Sequence, residues 1–280
     1  MTGAPYADGT VERWAFEYVT ATDLARKLAP PAPPRVLVDH AAPLRLDGPG
    51  RPPELRVSPR APKAPGPDAM RAPERRAALI HTFLHHELQA AELMCWAILA
   101  FPEAPEAFRL GLLGIARDEI RHMAMYGEHL AALGSRVGAF PVRDWFWERI
   151  PRAPSPAHFV ASFGMGLEAA NLDHAARFTA RFRAVGDDRG ADIEERIGVE
   201  EVPHVRFAAH WFERFTGGVD FETWAAHLVP PLSPLLMRGA PINRDARLDA
   251  GFPAAFVDAL ERWQPADGAG KAALPTPNAP

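Results

Sequence analysis

The feature that most restricts the fold is a pair of Glu-x-x-His motifs, Glu119 to His122 and Glu201 to His204, each set inside an apolar stripe of helical spacing. The first stripe reads Phe108, Leu112, Ile115, Glu119, His122, Tyr126, Leu130, Leu133. The second reads Ile193, Ile197, Glu201, His204, Ala208, Trp211, Phe215. Steps of three and four residues put each Glu and its His on one inward helix face, a turn apart. An acidic group on a core face is costly unless compensated, and a bound cation compensates it when an imidazole shares the turn.

Each motif follows a lone Glu on its own apolar stripe. Glu87 lies in Ile80, Phe83, Glu87, Ala90, Met94, Ile98, Phe101, and Glu168 in Ala161, Met165, Glu168, Leu172, Ala175, Phe182. Glu87 precedes Glu119 by 32 residues and Glu168 precedes Glu201 by 33, which makes an internal repeat of two helical hairpins of matched length. Four carboxylates in one dry core repel one another and take up protons, whereas two divalent cations cancel their charge. Glu87, Glu119, His122, Glu168, Glu201 and His204 are therefore the candidate metal ligands. Glu92 competes with Glu87, but it falls on the more polar stripe His81, His85, Glu92, Trp96, and hairpin symmetry favours Glu87.

Long helices are expected at about residues 73–101, 106–133, 157–184 and 191–215. The connections between them are short, long, short, and the long one (135–156) carries Trp145, Phe146 and Trp147. That order predicts an all-α four-helix bundle of two hairpins joined by a crossover, spanning residues 73–216. Residues 1–72 read as a Pro-rich arm over the domain, with a short helix that Asp23 could cap and strand-like pieces at 35–38 and 54–57. The same composition fits a disordered leader. Residues 217–264 read as a helical extension, with helices near 221–228 and 253–263, and 265–280 as a flexible tail. Pro203 removes a backbone donor inside the fourth helix, so a kink is expected there, through a local bulge.

Of the 280 residues 48% are apolar, ample for a core, and the formal charge of -4 gives no electrostatic reason to expect nucleic acid or an anionic membrane as partner. The one cysteine, Cys95, rules out a disulfide framework and reads as an inert core thiol. The longest apolar run, Leu93 to Phe101, has nine residues and is too short to span a bilayer. Met1 to Thr10 lacks the pattern of a signal peptide, so a cytoplasmic location is expected.

One Glu from each of two helices and Glu-x-x-His from each of two others is the ligand set of ferritin-like di-iron bundles. On these residues the region at about 73–216 resembles the ferritin-like di-iron carboxylate superfamily. More narrowly, His85-His86-Glu87 followed by Ala90-Ala91-Glu92-Leu93 looks like a bacterial ferritin-like family catalogued as a domain of unknown function. The resemblance implies two iron ions, or a manganese and an iron, with the imidazoles as terminal ligands and positions left for dioxygen. It also implies that the acid before each motif braces the opposite imidazole: Asp118 with His204, and Glu200 with His122.

The leading expectation is a non-haem di-iron oxidoreductase that activates dioxygen to hydroxylate, desaturate or otherwise oxidise a small organic substrate, with an electron donor the sequence does not name. Ferroxidase or iron-handling activity, a tRNA-modifying hydroxylase, and a metal-stabilised module without catalysis are the alternatives, and an oligomer is compatible with all. Tyr126, one turn beyond His122, is a candidate redox or hydrogen-bonding tyrosine, with core packing as its plainer role. His85, His86, His129 and His174 are candidate ligands or proton relays, or surface groups. Gly164, Gly166 and Ala169 either leave room for dioxygen or serve close helix packing.

Overall fold

A computed structural model describes residues 5–60 and 65–265. It is all-helical, with no strand among the described residues. The described residues divide into two compact units, one within residues 5–60 and 76–152, the other within residues 65–75 and 153–265.

In the first unit α1 (Val11–Thr20) is capped by Thr10, whose hydroxyl accepts from the Arg13 amide. It buries Val11, Trp14, Ala15, Tyr18 and Val19, the inward positions of an amphipathic helix. Asp23 caps α2 (Leu24–Leu28), accepting from the Arg26 amide at 2.9 Å. The Pro-rich stretch that follows is laid on this unit by single bonds: Leu44 N to Leu99 O at 2.9 Å, Gly50 N to Val19 O at 2.8 Å, and Trp96 Nε1 to Leu46 O at 3.2 Å. The strand-like pieces form only isolated bridges, Thr10 with Val36 and Val57 with Val142. Prolines on their flanks remove the donors that a longer ladder needs.

The hairpin consists of α3 (Pro73–Ala100) and α4 (Glu106–Ala132), with Pro102 and Pro105 in the turn between them. From Leu88 to Ala100 every residue of α3 is buried. A helix apolar all round needs cover all round, and the arm supplies part of it. The segment after α4 supplies more, because Gln89 accepts from the Phe146 amide at 3.0 Å and donates to Arg143 O at 3.2 Å. Cys95 is buried there, and burial pushes its thiol up, away from the reactive thiolate.

In the second unit Ser155 caps α5 (Pro156–Phe159), which runs into a π-helix (Val160–Glu168) and then α6 (Ala169–Ala184). After a turn capped by Asp187, α7 spans Asp188–Thr216 and ends at Gly217, whose φ of +90° suits glycine. Four further pieces follow: α8 (Phe221–Ala226), a 3-10 turn (Pro234–Met237), α9 (Arg244–Asp249) and α10 (Ala254–Arg262). The extension braces the π-helix, where Trp224 Nε1 donates to Ala161 O at 2.9 Å and the Val229 amide to Ser162 Oγ at 2.9 Å.

The bulge expected at Pro203 needs correction: the α-helical pattern of α7 runs unbroken through that residue, and the widened turns lie in the preceding helix instead. Pro203 is exposed, so the carbonyl it leaves without an intrahelical donor is on the wet side of α7. Most of the expected tail, 266–280, lies outside the described residues.

Candidate metal centre

Glu87 on α3 and Glu119 and His122 on α4 form one buried group. The hairpin brings them together as the spacing requires. The α3 stripe turns Glu87 inward, and the three-residue step on α4 stacks His122 a turn above Glu119. Nδ1 of His122 lies 3.2 Å from Glu119 Oε2 and 3.4 Å from Glu87 Oε2. Two ligands of one ion, each about 2.1 Å from it, are at most about 4.2 Å apart, so both separations suit a shared metal. The group can hold a metal ion.

Its electrostatics point the same way. Burial pushes the Glu87 carboxyl well above the usual range, and the neighbouring Glu119 adds to that, while His122 pulls it back in part. Burial alone would lower His122, yet its hydrogen bonds to Glu119 and Glu87 hold the imidazole up to about 12. The two carboxyl groups favour a positive charge beside Nδ1, and a bound cation can supply it as a proton does.

The second motif repeats this local geometry in its own unit. His204 Nδ1 lies 3.2 Å from Glu201 Oε2, the same separation as between His122 and Glu119, and both residues are buried. Glu168 is buried as the last residue of the π-helix, where α6 begins. Asp118 and Glu200 are half-exposed, and each forms an ion pair along its own helix, Asp118 with Arg121 and Glu200 with Arg196, both at 2.9 Å. Tyr126 is buried with its ring 5.8 Å from that of Phe83, a packing contact. Gly164 and Gly166 serve close packing: a Cβ on Gly164 would collide with Ala208, and one on Gly166 would lie 2.7 Å from Met237 Sδ.

Glu92 belongs to a different construction. It is fully buried and receives Lys27 Nζ at 2.6 Å, Arg51 through two nitrogens at 2.6 and 2.9 Å, and Trp147 Nε1 at 2.8 Å. Arg51 also clamps Asp144, which in turn meets His85 Nε2 at 2.9 Å. Burial raises the Glu92 carboxyl, but Arg51 and Lys27 outweigh it and hold the group below its ordinary value. A carboxylate neutralised in this way has no need of a metal, which separates it from Glu87. The His86 ring lies 5.1 Å from that of Phe146 in a tilted contact, and His129 is buried on α4. Sequence reading missed the Lys27, Arg51 and Asp144 partners, and it also missed Glu194, a buried acid seven residues before Glu201 on α7.

No helix among the described residues is long and apolar enough to cross a membrane. No solved structure matches the chain. An uncharacterized protein of Haemophilus influenzae is 30% identical over 192 residues, covering 64% of this chain. The match spans 65% of that relative's own length. Residues 10–258 match a family described as "Protein of unknown function (DUF455)", and with nearly the whole described chain inside that match, the protein belongs to this family.

Proposed function

We propose that this protein is a non-haem di-iron, or manganese-iron, oxidoreductase that uses dioxygen to oxidise or hydroxylate a small organic substrate. The observation that carries the reading is the buried group of Glu87, Glu119 and His122, three hard or borderline ligands around one point in a dry core. Its repeat, Glu168 with Glu201 and His204, would hold the second ion. Carboxylates with few imidazoles favour iron and manganese over zinc held by thiolate. Such ions, when bound, supply the reducing electrons and Lewis acidity that dioxygen activation needs.

The chain's own part is to hold the carboxylates fixed around a point where a bound cation would offset the burial that pushes Glu87 up. Stacking of His122 over Glu119, and of His204 over Glu201, sets the direction of each imidazole. The buried surroundings keep bulk water from the group, which strengthens every charge interaction inside it. Tyr126, four residues beyond His122 on the same helix, is the candidate for a hydrogen-bonding or redox role beside the metals.

Metal analysis of anaerobically purified protein, followed by admission of dioxygen, tests the reading. Two irons per chain, or one iron with one manganese, and an absorption change on oxygenation are expected; one zinc or no metal would overturn it. Metal that binds without consuming dioxygen would leave a metal-stabilised module, and an assembly many times the mass of the 30.6 kDa chain would favour iron storage.

A further inference from the structure

The second unit carries a cluster that the metal reading does not use. His174, Arg177 and Arg181 lie three and then four residues apart on α6, so their side chains share one face of the helix, and all three are partly buried. Among the described residues neither arginine has a carboxylate within ion-pair distance. Each guanidinium lies instead beside the Phe178 ring, 5.1 Å away for Arg177 and 5.4 Å for Arg181. Nε of Arg177 is buried without a hydrogen-bond acceptor.

From α9, the fully buried Arg247 stands behind this face. It donates Nε and Nη2 to Asp173 at 3.2 and 2.7 Å, and Nη2 also to Met237 O at 3.0 Å, while its Nη1 is buried with no acceptor. Asp173 is already committed, accepting the Gly239 and Asn243 amides at 2.7 Å each. The one carboxylate at this face is therefore taken up by Arg247 and two backbone amides, and no ion pair reaches Arg177 or Arg181 from the described residues. His174 adds no charge near neutral pH, since burial and then Arg177 hold its imidazole down at about 4.

Nε of Arg109 is also buried without an acceptor, but two partly buried arginines of the first unit differ from Arg177 and Arg181 in having a carboxylate partner. Arg51 meets Glu92 and Asp144, and Arg109 meets Glu12 at 3.0 Å. A desolvated donor without an acceptor costs stability, and so do like charges held together. Both costs are removed if an anion sits against the face, where forked N–H groups suit an oxyanion with two or three oxygens.

We propose that the α6 face of His174, Arg177 and Arg181, backed by Arg247, binds the oxyanion of a small molecule, a phosphate or a carboxylate group. The proposal does not depend on the metal reading. Calorimetric titration of the full chain with inorganic phosphate, and separately with succinate, at constant ionic strength set by chloride, tests it. Saturable binding is expected, weakened about tenfold by Arg177→Gln and again by Arg181→Gln, since one charge-assisted hydrogen bond is worth about that factor. Binding should be unchanged in Arg262→Gln, an exposed arginine of α10. Tighter phosphate assigns a phosphorylated ligand, and tighter succinate a carboxylic acid.

A further readout separates a ligand site from a structural one. Without anion, Arg177→Gln should leave the melting temperature unchanged or raise it, because it removes an uncompensated charge; Arg181→Gln, nearer the helix end, serves if Arg177→Gln fails to fold. No binding of either anion, binding indifferent to both substitutions, binding of RNA alone, or a lower melting temperature in both variants without anion would overturn the proposal.

Discussion

Replacing Glu119 by Gln keeps the shape of the buried group and removes one of the two charges that His122 answers. Metal content is expected to fall by more than the roughly 10–100-fold in affinity typical for loss of an outer partner, measured by metal analysis after dialysis. Asp118→Ala tests such an outer partner: metal affinity should drop about tenfold while the fold is kept, and an unchanged content would mean that Asp118 serves only Arg121. The residues of this group were legible because their signal is local, a three-residue step inside an apolar stripe. Glu92 was not legible to the same depth. Its stripe correctly placed it away from Glu87, but the cations that hold it lie 65 and 41 residues away, and no period in the sequence reports on such distant pairs.

At the level of elements, the strap formed by Lys27, Arg51 and Asp144 over α3 is the strongest polar feature outside the candidate centre. Glu92→Ala would strand two cations, one of them fully buried, and should destabilise the protein by about 3–5 kcal/mol in urea unfolding. Acid should find the same strap. Burial raises the Asp144 carboxyl, but His85 and Arg51 hold it down at about 2. An unfolded aspartate titrates near about 4. The contribution is therefore full above roughly pH 4 and lost as pH falls through about 2, and Asp144→Asn should flatten the unfolding midpoint across that window. The four long helices were readable from period and punctuation, because Pro102, Pro105 and Gly217 mark ends that the backbone must respect. The widened turns at Val160–Glu168 were not readable. The stretch is bonded by Trp224 and Val229 from a distant segment, and no local pattern reports such partners.

For the molecule as a whole, each compact unit joins one hairpin to material outside the expected 73–216 bundle: the arm in one, the extension in the other. The helical class followed from composition and period, whereas this allocation rests on contacts such as Leu44 with Leu99 and Arg247 with Asp173, which only the folded chain brings together. The buried ammonium of Lys27 carries a consequence for anyone who would cut this chain down. A fragment beginning at Pro73 keeps all six candidate ligands yet leaves the Glu92 carboxylate without either cation, and it bares the flank of α3 that the arm covers at Leu99 and Trp96. Such an excised hairpin pair is expected to be recovered aggregated, and adding back a peptide of residues 5–60 should restore solubility. The ligands can be read from short motifs, but the machinery cannot be transplanted by them.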